Sequence, residues 1–563
     1  MSLDKLYPSI NAWIDDINIY KKSLEDIHFP ELKVENIIKI LNLIDENAQY
    51  LDKLYTYGVV KREFDVSDKT VNDYILEVRK LYSSFNEKIK SINTFVKNNK
   101  SHILQNLKKS NQGKIWIQYI SKIQNNVNNV QYNLSKRIDP YGDYVNWYNS
   151  LDDIGNIIFD RYILKIKESN LLELLKSDDY EFRRKIYLEV EKELKRNSKI
   201  ASILLNSHLQ INCLVKEPYH KFISNGIIGK DSVSFLEKSK NSIVKLSHDI
   251  VKNKIKLVQA PSFSYSDMYY LPTESDNLIS FDEAKRIVYS TFATFGDTIS
   301  TICYKALYEG WIITERTENS HSGQRSYSSY SSHPYIKIDW HNRIDDLFDL
   351  THEIGGAISQ FLSSKNGKFL YSETSILKTE FFSILGTICL CDNLKRNFQE
   401  KFNKKLVTSR IIDFYKDILI LPFEFCYVEE ELYNRASQYK LTEGSISDIW
   451  YSVVSDFHNI AGFKPMIENK SNWVRHDQFY LNGYSFKYIE SLILAEKYYE
   501  IFNETNSDVL VNLFKKGEQL SDLDFFYSLM GEKEIDFEYE LNKTIKKISN
   551  IIKENIYEKN DDL

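Results

Sequence analysis

The sequence predicts a mainly helical fold that carries a small β-sheet. Its 563 residues include only 18 glycines and 9 prolines, well below the roughly 7% and 5% of average proteins. Because these residues interrupt helices, their scarcity favours long helices over turn-rich β structure. Apolar residues recur at three- and four-residue steps over most of the chain, and two stretches, 263–271 and 325–340, break that pattern.

The N-terminal third begins the helical pattern. The stretch from residue 71 to 82 places its apolar residues on one face of a helix. These residues are Val71, Tyr74, Ile75, Val78, Leu81 and Tyr82. The polar run 108–114 then predicts a boundary, with an N-terminal helical domain at 1–110 and a larger domain at 111–563. Helical spacing resumes over 178–256 and again after residue 344.

Charge and composition exclude several classes of protein. The net charge is 73 − 79 = −6 and is spread along the chain, which argues against a nucleic-acid partner. No apolar stretch approaches the roughly 18–20 residues that span a bilayer, and the N-terminus lacks a signal-peptide profile. The five cysteines are odd in number and lack zinc-ribbon spacing, which favours a reduced, cytoplasmic protein without a membrane.

Cys389 and Cys391 lie two residues apart, a spacing that allows two interpretations. The pair would bind a soft metal, or it would supply two small buried hydrophobic side chains. Residues two apart point in different directions on a helix, which favours burial.

The segment from Leu350 to Gly356 is one residue short of a zinc-peptidase helix. In His-Glu-x-x-His the two histidines share one helix face and hold zinc, and the glutamate acts as general base on the bound water. His352 and Glu353 are present, but Gly356 stands at the second histidine position. Residues 335–340 directly precede this helix, and their alternation of apolar and charged residues predicts a half-buried strand.

The motifs around this helix resemble the oligoendopeptidase F family of thimet-oligopeptidase-like zinc peptidases. The similar segments are 179–184, 322–330, 333–336, 345–353 and 473–480. The resemblance extends from about residue 178 to 490. It implies two helical lobes around a deep cleft, with a small sheet beside the motif helix.

The resemblance also implies a metal site. In the family the third zinc ligand is a glutamate 28 positions after the first motif histidine, and that position here is Glu380. His352 and Glu380 would then remain as ligands, fewer than the three of a catalytic zinc site, so zinc is expected to bind weakly or not at all. His476 is the candidate substitute for the missing ligand; its alternative is a histidine at the surface or core edge. Without the resemblance, Glu380 would be predicted to be a carboxylate on the surface of a helix.

In a second family motif, Trp is followed by four intervening residues and then His-Phe-Tyr, and these residues supply groups that stabilise the oxyanion. Here Trp473 and the Phe-Tyr pair ending at Tyr480 match, and Gln478 replaces the histidine. Glutamine retains an N–H donor and serves in oxyanion holes. Gln478, Tyr480 and Tyr484 are therefore candidate catalytic residues beside Glu353, with Tyr488 as the alternative to Tyr484.

Two further expectations concern residues near the motif helix. Lys378 would pair with Glu353 or Glu380 and replace the charge of the lost cation, or it would be exposed. The segment from residue 327 to 338 resembles the family's substrate-binding strand, which binds an extended peptide through its unpaired edge. The predicted peptide-binding residues there are Tyr327, Tyr330 and Tyr335.

Three functional hypotheses follow. The first is a degenerate peptidase that binds an oligopeptide, or a peptide segment of a partner, without hydrolysing it. The second is an active zinc oligoendopeptidase whose site is completed by His476, another residue or water. The third is a structural scaffold, which the retention of Glu353 and Glu380 disfavours.

Overall fold

The computed structural model describes most of the chain. The described residues are 3–65, 67–122, 140–151, 154–159, 162–214, 219–258, 262–271, 278–314, 323–460, 463, 467–502 and 504–557. Ser322 of the motif at 322–330 lies outside them.

The α-helices are α1 (Ile10–Glu25), α2 (Ile37–Arg62), α3 (Lys69–Asn98), α4 (Lys100–Leu107), α5 (Asn111–Lys114), α6 (Ile117–Lys122), α7 (Pro140–Asn149), α8 (Glu168–Leu175), α9 (Tyr180–Leu214), α10 (Tyr219–Ile223), α11 (Ser232–Val258), α12 (Phe281–Ala293), α13 (Asp297–Tyr308), α14 (Ile344–Ser363), α15 (Ile376–Asn397), α16 (Lys404–Tyr415), α17 (Leu421–Ala436), α18 (Glu443–His458), α19 (Tyr484–Ile501), α20 (Glu504–Phe514), α21 (Asp522–Met530) and α22 (Phe537–Tyr557).

The described strands form two small sheets. An antiparallel hairpin joins β1 (Gly155–Phe159) to β2 (Tyr162–Ile166). The other sheet has β5 (Tyr335–Lys337) at its centre, parallel to β3 (Ile312–Ile313) and antiparallel to β4 (Arg325–Tyr327). The prediction of a mainly helical fold with a small sheet next to the motif helix is therefore confirmed.

The chain forms two compact units. The first unit contains Met1–Val127, Ile279–Thr387 and Ile501–Lys533, and the second contains Asn128–Leu278, Ile388–Glu500 and Glu534–Leu563. The boundary predicted at residue 110 does not coincide with a division between these units.

The first unit has a core that joins its N-terminal helices to its sheet. Trp13 is fully buried and its Nε1 donates a hydrogen bond to the carbonyl of Leu54 across 2.9 Å. Ile313 of β3 and Tyr335 of β5 belong to the same buried cluster as Trp13. The predicted apolar face of α3 is confirmed, since four of its six residues are buried and two are partly buried against the cluster. The N-terminal helices and the sheet therefore share one buried cluster, and the N-terminal helices contribute most of its residues.

Strand β5 is fully buried, which differs from the half-buried strand that the sequence predicted. Lys337 and Asp339 are buried together, and Nζ of Lys337 donates to Oδ1 of Asp339 across 2.5 Å. The backbone N–H of Gly323 donates to the other carboxylate oxygen across 2.8 Å. Because the two opposite charges neutralise each other, both side chains lie in the core. The alternation of apolar and charged residues had instead indicated a strand with one face in solvent.

Helix α14 follows β5 directly, as the sequence predicted. The carboxylate of Asp346 accepts hydrogen bonds from the backbone N–H groups of His341 (2.7 Å) and Arg343 (2.9 Å). These bonds satisfy donors at the start of the helix and fix where it begins. The motif residues therefore lie on a helix that is anchored beside the sheet.

Two findings concern the wider composition. All five cysteines are free thiols, and Cys389 and Cys391 are buried, as the hydrophobic interpretation of that pair expected. Among the described helices, none combines the length and hydropathy required to cross a membrane.

Replacing Lys337 with methionine should lower the free energy of unfolding by about 3–5 kcal/mol, because Asp339 would remain buried without its partner. Urea denaturation measures this loss. Lys21→Met is the matched control, since Lys21 pairs with Glu77 at the surface of the same unit and such pairs contribute about 0–1 kcal/mol. Equal losses in the two variants would contradict a structural role for the buried pair.

Candidate functional site

Two neighbouring helices of the first unit bring the predicted metal ligands together. His352 and Glu353 lie on α14, and Glu380 lies on α15. Nε2 of His352 is 3.2 Å from Oε2 of Glu380. The two side chains, 28 residues apart in the sequence, thus lie next to each other. Glu380 is buried and is not a surface carboxylate.

Glycine at position 355 allows these helices to approach each other. A Cβ at Gly355 would lie 2.7 Å from Cα of Ser383 and 2.9 Å from the carbonyl oxygen of Phe382. Both are backbone atoms that cannot move aside, so only glycine fits. The contact therefore sets the separation between α14 and α15, and with it the separation between His352 and Glu380.

Glycine at position 356 faces side chains and not backbone. A Cβ there would lie 3.1 Å from Oγ of Ser383, 3.4 Å from Cγ2 of Thr379 and 3.6 Å from Oγ of Ser326. All three neighbours are side-chain atoms, two of them hydroxyl oxygens. A larger residue at position 356 would therefore fit only if these side chains moved aside.

The donors present do not fit a catalytic zinc ion. With bonds of about 2.0–2.1 Å, two tetrahedral ligands of one zinc lie about 3.3 Å apart, so the separation of His352 and Glu380 suits two corners. A catalytic zinc has three protein ligands, and Gly356 offers none. Within the described ranges, no group of three His, Cys, Asp or Glu side chains is placed to hold a metal ion.

The charges of the site interact strongly. Burial lowers the pKa of His352, but Glu380, Glu353 and Asp349 outweigh it and raise that pKa to about 9. Burial raises the pKa of Glu353 to about 7, although His352 lowers it. At neutral pH the imidazole is therefore protonated, and its proton supplies positive charge among the carboxylates.

Several polar groups surround this pair. Nε2 of Gln360 donates to Oγ of Ser326 across 3.3 Å, while Oε1 of Gln360 is buried without a hydrogen-bond partner. The contact between His352 and Glu380 lacks hydrogen-bond alignment, and Oε2 of Glu380 has no hydrogen-bond partner. The sequence analysis did not predict Ser326, Gln360 and Ser383 near these residues. Only Gln360 could have been found from the sequence, because it lies four residues after position 356 and therefore on the same helix face.

Lys378 does not replace the missing cation. It is buried, its Nζ donates to the carbonyl of Leu520 across 2.8 Å, and it lies 3.5 Å from Oδ1 of Asp522. Both predictions for this residue were wrong, since it neither pairs with the site carboxylates nor is exposed. Carbonyl oxygens from the segment before α21 bind it instead.

The three tyrosines predicted to contact a peptide differ in their surroundings. Tyr335 is fully buried in the central strand. Tyr327 is half-buried and donates to Oε1 of Glu63 across 2.6 Å. Tyr330 is half-buried and meets the ring of Phe369 edge-on. The edge strands of the described sheet are β3 and β4, and β5 is its central strand.

His476, the candidate substitute ligand, belongs to the aromatic core of the second unit. Its Nε2 lies 3.1 Å from Oδ1 of Asn472, and its ring packs against Phe425 and Trp450 with centroids 4.9 and 5.2 Å away. Burial lowers its pKa to about 3. These contacts match the alternative prediction, a histidine at the core edge.

The other predicted catalytic residues also lie in the second unit. Tyr480 is buried and stacks on Tyr144, and its hydroxyl lies 3.4 Å from the carbonyl of Ala201. Its assignment as a catalytic phenol stays a prediction. Oε1 of Gln478 is buried without a hydrogen-bond partner. Tyr484 is half-buried, with its hydroxyl 3.2 Å from that of Tyr488.

Comparison with known sequences gives distant relatives over most of the chain. No family model matches it. Oligopeptidase PepF of Bacillus subtilis is 19% identical over 532 residues, which cover 88% of this chain and 77% of that protein. An oligoendopeptidase F homolog of Borreliella burgdorferi is 22% identical over 540 residues, covering 89% and 88%.

Solved structures show the same likeness over almost the whole chain. A putative peptidase from Chlamydophila abortus has a TM-score of 0.73 at 19% identity and covers 98% of both chains. Oligoendopeptidase F from Enterococcus faecium has a TM-score of 0.70 at 15% identity and covers 97% of both. The chain resembles oligoendopeptidase F in sequence and shares its fold. This oligoendopeptidase F-like chain therefore carries its altered motif within an intact peptidase fold.

The two adjacent glycines of the oligoendopeptidase F-like chain provide a matched pair of variants. Gly355→Ala should lower the free energy of unfolding by about 1–3 kcal/mol, because its methyl group would collide with backbone. Gly356→Ala should change it by less than about 1 kcal/mol, since the helix gains propensity and only side chains must adjust. Chemical denaturation measures both. A tolerated Gly355→Ala would contradict the close approach of α14 and α15.

His476 should make the second unit sensitive to acid. An unfolded histidine has a pKa of about 6.5, whereas burial holds His476 near 3. Between these values the unfolded chain binds a proton that the folded chain does not, so stability is present above about pH 6.5 and falls as the pH decreases. From about pH 7 to about pH 5, wild type should lose about 1–2 kcal/mol more than His476→Gln.

Urea unfolding at both pH values measures this difference. The exposed His102 provides the control, and His102→Gln should lose as much stability as wild type. If His476→Gln behaved like His102→Gln, His476 would not be held neutral in the folded chain.

Proposed function

We propose that this oligoendopeptidase F-like chain binds oligopeptides and does not hydrolyse them. The observation that carries the proposal is that His352 and Glu380 lie together as two predicted metal ligands, whereas the third ligand position is occupied by Gly356. Loss of even an indirect partner of a metal ligand costs about 10–100-fold in metal affinity or activity, and loss of a direct ligand costs more. The free thiols of all five cysteines support a reducing, cytoplasmic location.

The edge of β4 is the proposed peptide-binding element. Among the described strands it lies at one edge of its sheet, and an extended peptide binds to a sheet by adding to such an edge. Ser326 lies in this strand, and its Oγ is 3.6 Å from the Cβ position of Gly356. A peptide added along β4 would therefore pass beside His352 and Glu353, as in a peptidase that retains its metal.

The second candidate function is an active zinc oligoendopeptidase with an altered metal site. The separation of 3.2 Å between His352 and Glu380 favours it, because it suits two ligands of one zinc ion. In that case water or another residue would complete the coordination.

Metal analysis and a cleavage assay distinguish these two functions. The purified chain, prepared without added metal, should contain well under one zinc per molecule and should not cleave quenched-fluorescent peptides. The same peptides should bind, as measured by fluorescence polarisation. One zinc per chain, together with hydrolysis that Glu353→Gln abolishes, would establish the second candidate and overturn the first.

Restoring the motif provides the matched gain-of-function variants. Gly356→His supplies the third ligand, and its Cβ meets only side-chain atoms. It should raise zinc content towards one per chain and should raise peptide cleavage above that of the unaltered chain. Gly356→Ala is the control and should gain neither. If Gly356→His gained no zinc, the loss of this single ligand would not account for the inactive site.

A further inference from the structure

We propose that a groove in the second unit binds an oligophosphate chain through its phosphate oxygens. The groove is open to solvent and has a volume of about 520 Å³, within the roughly 300–1,000 Å³ of small-molecule sites. We call it the lysine groove, because its charged lining residues are Lys395, Lys543, Lys546, Lys547, Glu500 and Glu554. Phosphate binding there is separate from the proposed peptide binding at β4.

One face of α22 supplies most of the lysine groove. Lys543, Lys547 and Asn550 recur at steps of four and three residues, which places them on one side of the helix. Lys395 comes from the last turn of α15, and Glu500 comes from the C-terminal end of α19. Lys543 and Lys547 lie about 6 Å apart along the helix axis. Three helices thus bring a high density of ammonium groups to one groove.

Two of the four lysines are held in place by carboxylates. Nζ of Lys547 donates to both carboxylate oxygens of Glu496, across 2.7 and 3.0 Å. Nζ of Lys543 donates to Glu500, and to Oε2 of Glu540 across 3.1 Å. Since an ammonium group has three N–H donors, each of these lysines retains one donor for a ligand. Their pairs fix both ammonium groups in advance, which lowers the entropy that binding costs.

The other two lysines have no carboxylate partner. Nζ of Lys395 and Nζ of Lys546 make no ion pair or hydrogen bond within the residues that the structure describes. Glu554 is the one carboxylate of the lining that is likewise unpaired in this part of the chain. Unpaired ammonium groups therefore outnumber unpaired carboxylates by two to one, and the exposed amide of Asn550 adds further donors. This surplus of donors matches an anion rich in oxygen.

The lining of the lysine groove favours phosphate among the anions. Lysine binds phosphate as a compact point charge. Of the described lining residues, only Ile551 is apolar and none is aromatic. A nucleobase would therefore find no ring on which to stack, as single-stranded nucleic acids require. A phosphate chain carries several negative charges and needs no apolar contact, so it fits four ammonium groups in one groove.

Isothermal titration calorimetry with inorganic tripolyphosphate tests the proposal on the full-length protein, at physiological ionic strength and without divalent metal. One tripolyphosphate should bind per chain. The double variant Lys395→Gln/Lys546→Gln should weaken binding at least about tenfold, because two charge-assisted hydrogen bonds are lost. An unchanged affinity in this variant, or no saturable binding to the unaltered chain, would overturn the proposal.

Lys195→Gln/Lys199→Gln is the matched control. Both lysines are exposed, lie four residues apart on α9 of the same unit, and make no ion pair within the described ranges. This variant removes the same charge and should keep the full affinity. Both double variants should also keep the Tm of the unaltered chain, since none of the four lysines has a partner to lose. Equal losses of affinity in the two variants would show general charge attraction, and the lysine groove would not be the site.

Removing the unpaired carboxylate provides a variant that gains affinity. Glu554→Gln preserves shape and removes a negative charge beside the ligand, so tripolyphosphate should bind up to about fivefold more tightly. Weaker binding would show that the carboxylate helps to hold the ligand, and the assignment to an anion would be wrong.

Two further ligands test which group the lysine groove recognises. ATP carries the same three phosphates and should bind no more tightly than tripolyphosphate, because the lining offers its base no surface. A tetra-aspartate peptide should bind more weakly than either. Tighter binding of ATP would reveal a base site that the lining does not explain, and tighter binding of tetra-aspartate would indicate a peptide ligand. Either result would overturn the assignment to an oligophosphate chain.

Discussion

The contact between Gly355 and the backbone of Ser383 is the constraint on which the site depends. It allows α14 and α15 to approach until His352 and Glu380 lie 3.2 Å apart. Any side chain at position 355 would push the two helices apart by backbone collision. The chain thus holds the two predicted metal ligands together, although Gly356 offers no side chain to a metal.

Retaining that packing without a third ligand creates an electrostatic problem. Carboxylates held in a partly buried site need positive charge, and here the proton on His352 supplies part of it. The carboxylates raise the pKa of the imidazole to about 9, so the residue that would bind zinc when neutral becomes the cation. Oε2 of Glu380 and Oε1 of Gln360 still lack hydrogen-bond partners.

Packing also decides the roles of residues that the family motifs pointed to. The order of motifs places Tyr480 and His476 in a catalytic segment, but the first stacks on Tyr144 and the second packs against Trp450. Tyr335 is likewise buried in its sheet. A motif gives the position of a residue along the chain, whereas the direction of its side chain depends on neighbours that are remote in sequence.

The sequence by itself determined the helical class, the strand before the motif helix, the register from His352 to Glu380 and the absence of a ligand at Gly356. These features depend on local spacing and residue type, which a single sequence contains. Only the tertiary structure decided that Ser326, Thr379 and Ser383 surround the Cβ position of Gly356, because they come from a strand and a neighbouring helix whose approach no local pattern encodes. The same reason explains Lys378, whose partners lie about 140 residues further along the chain.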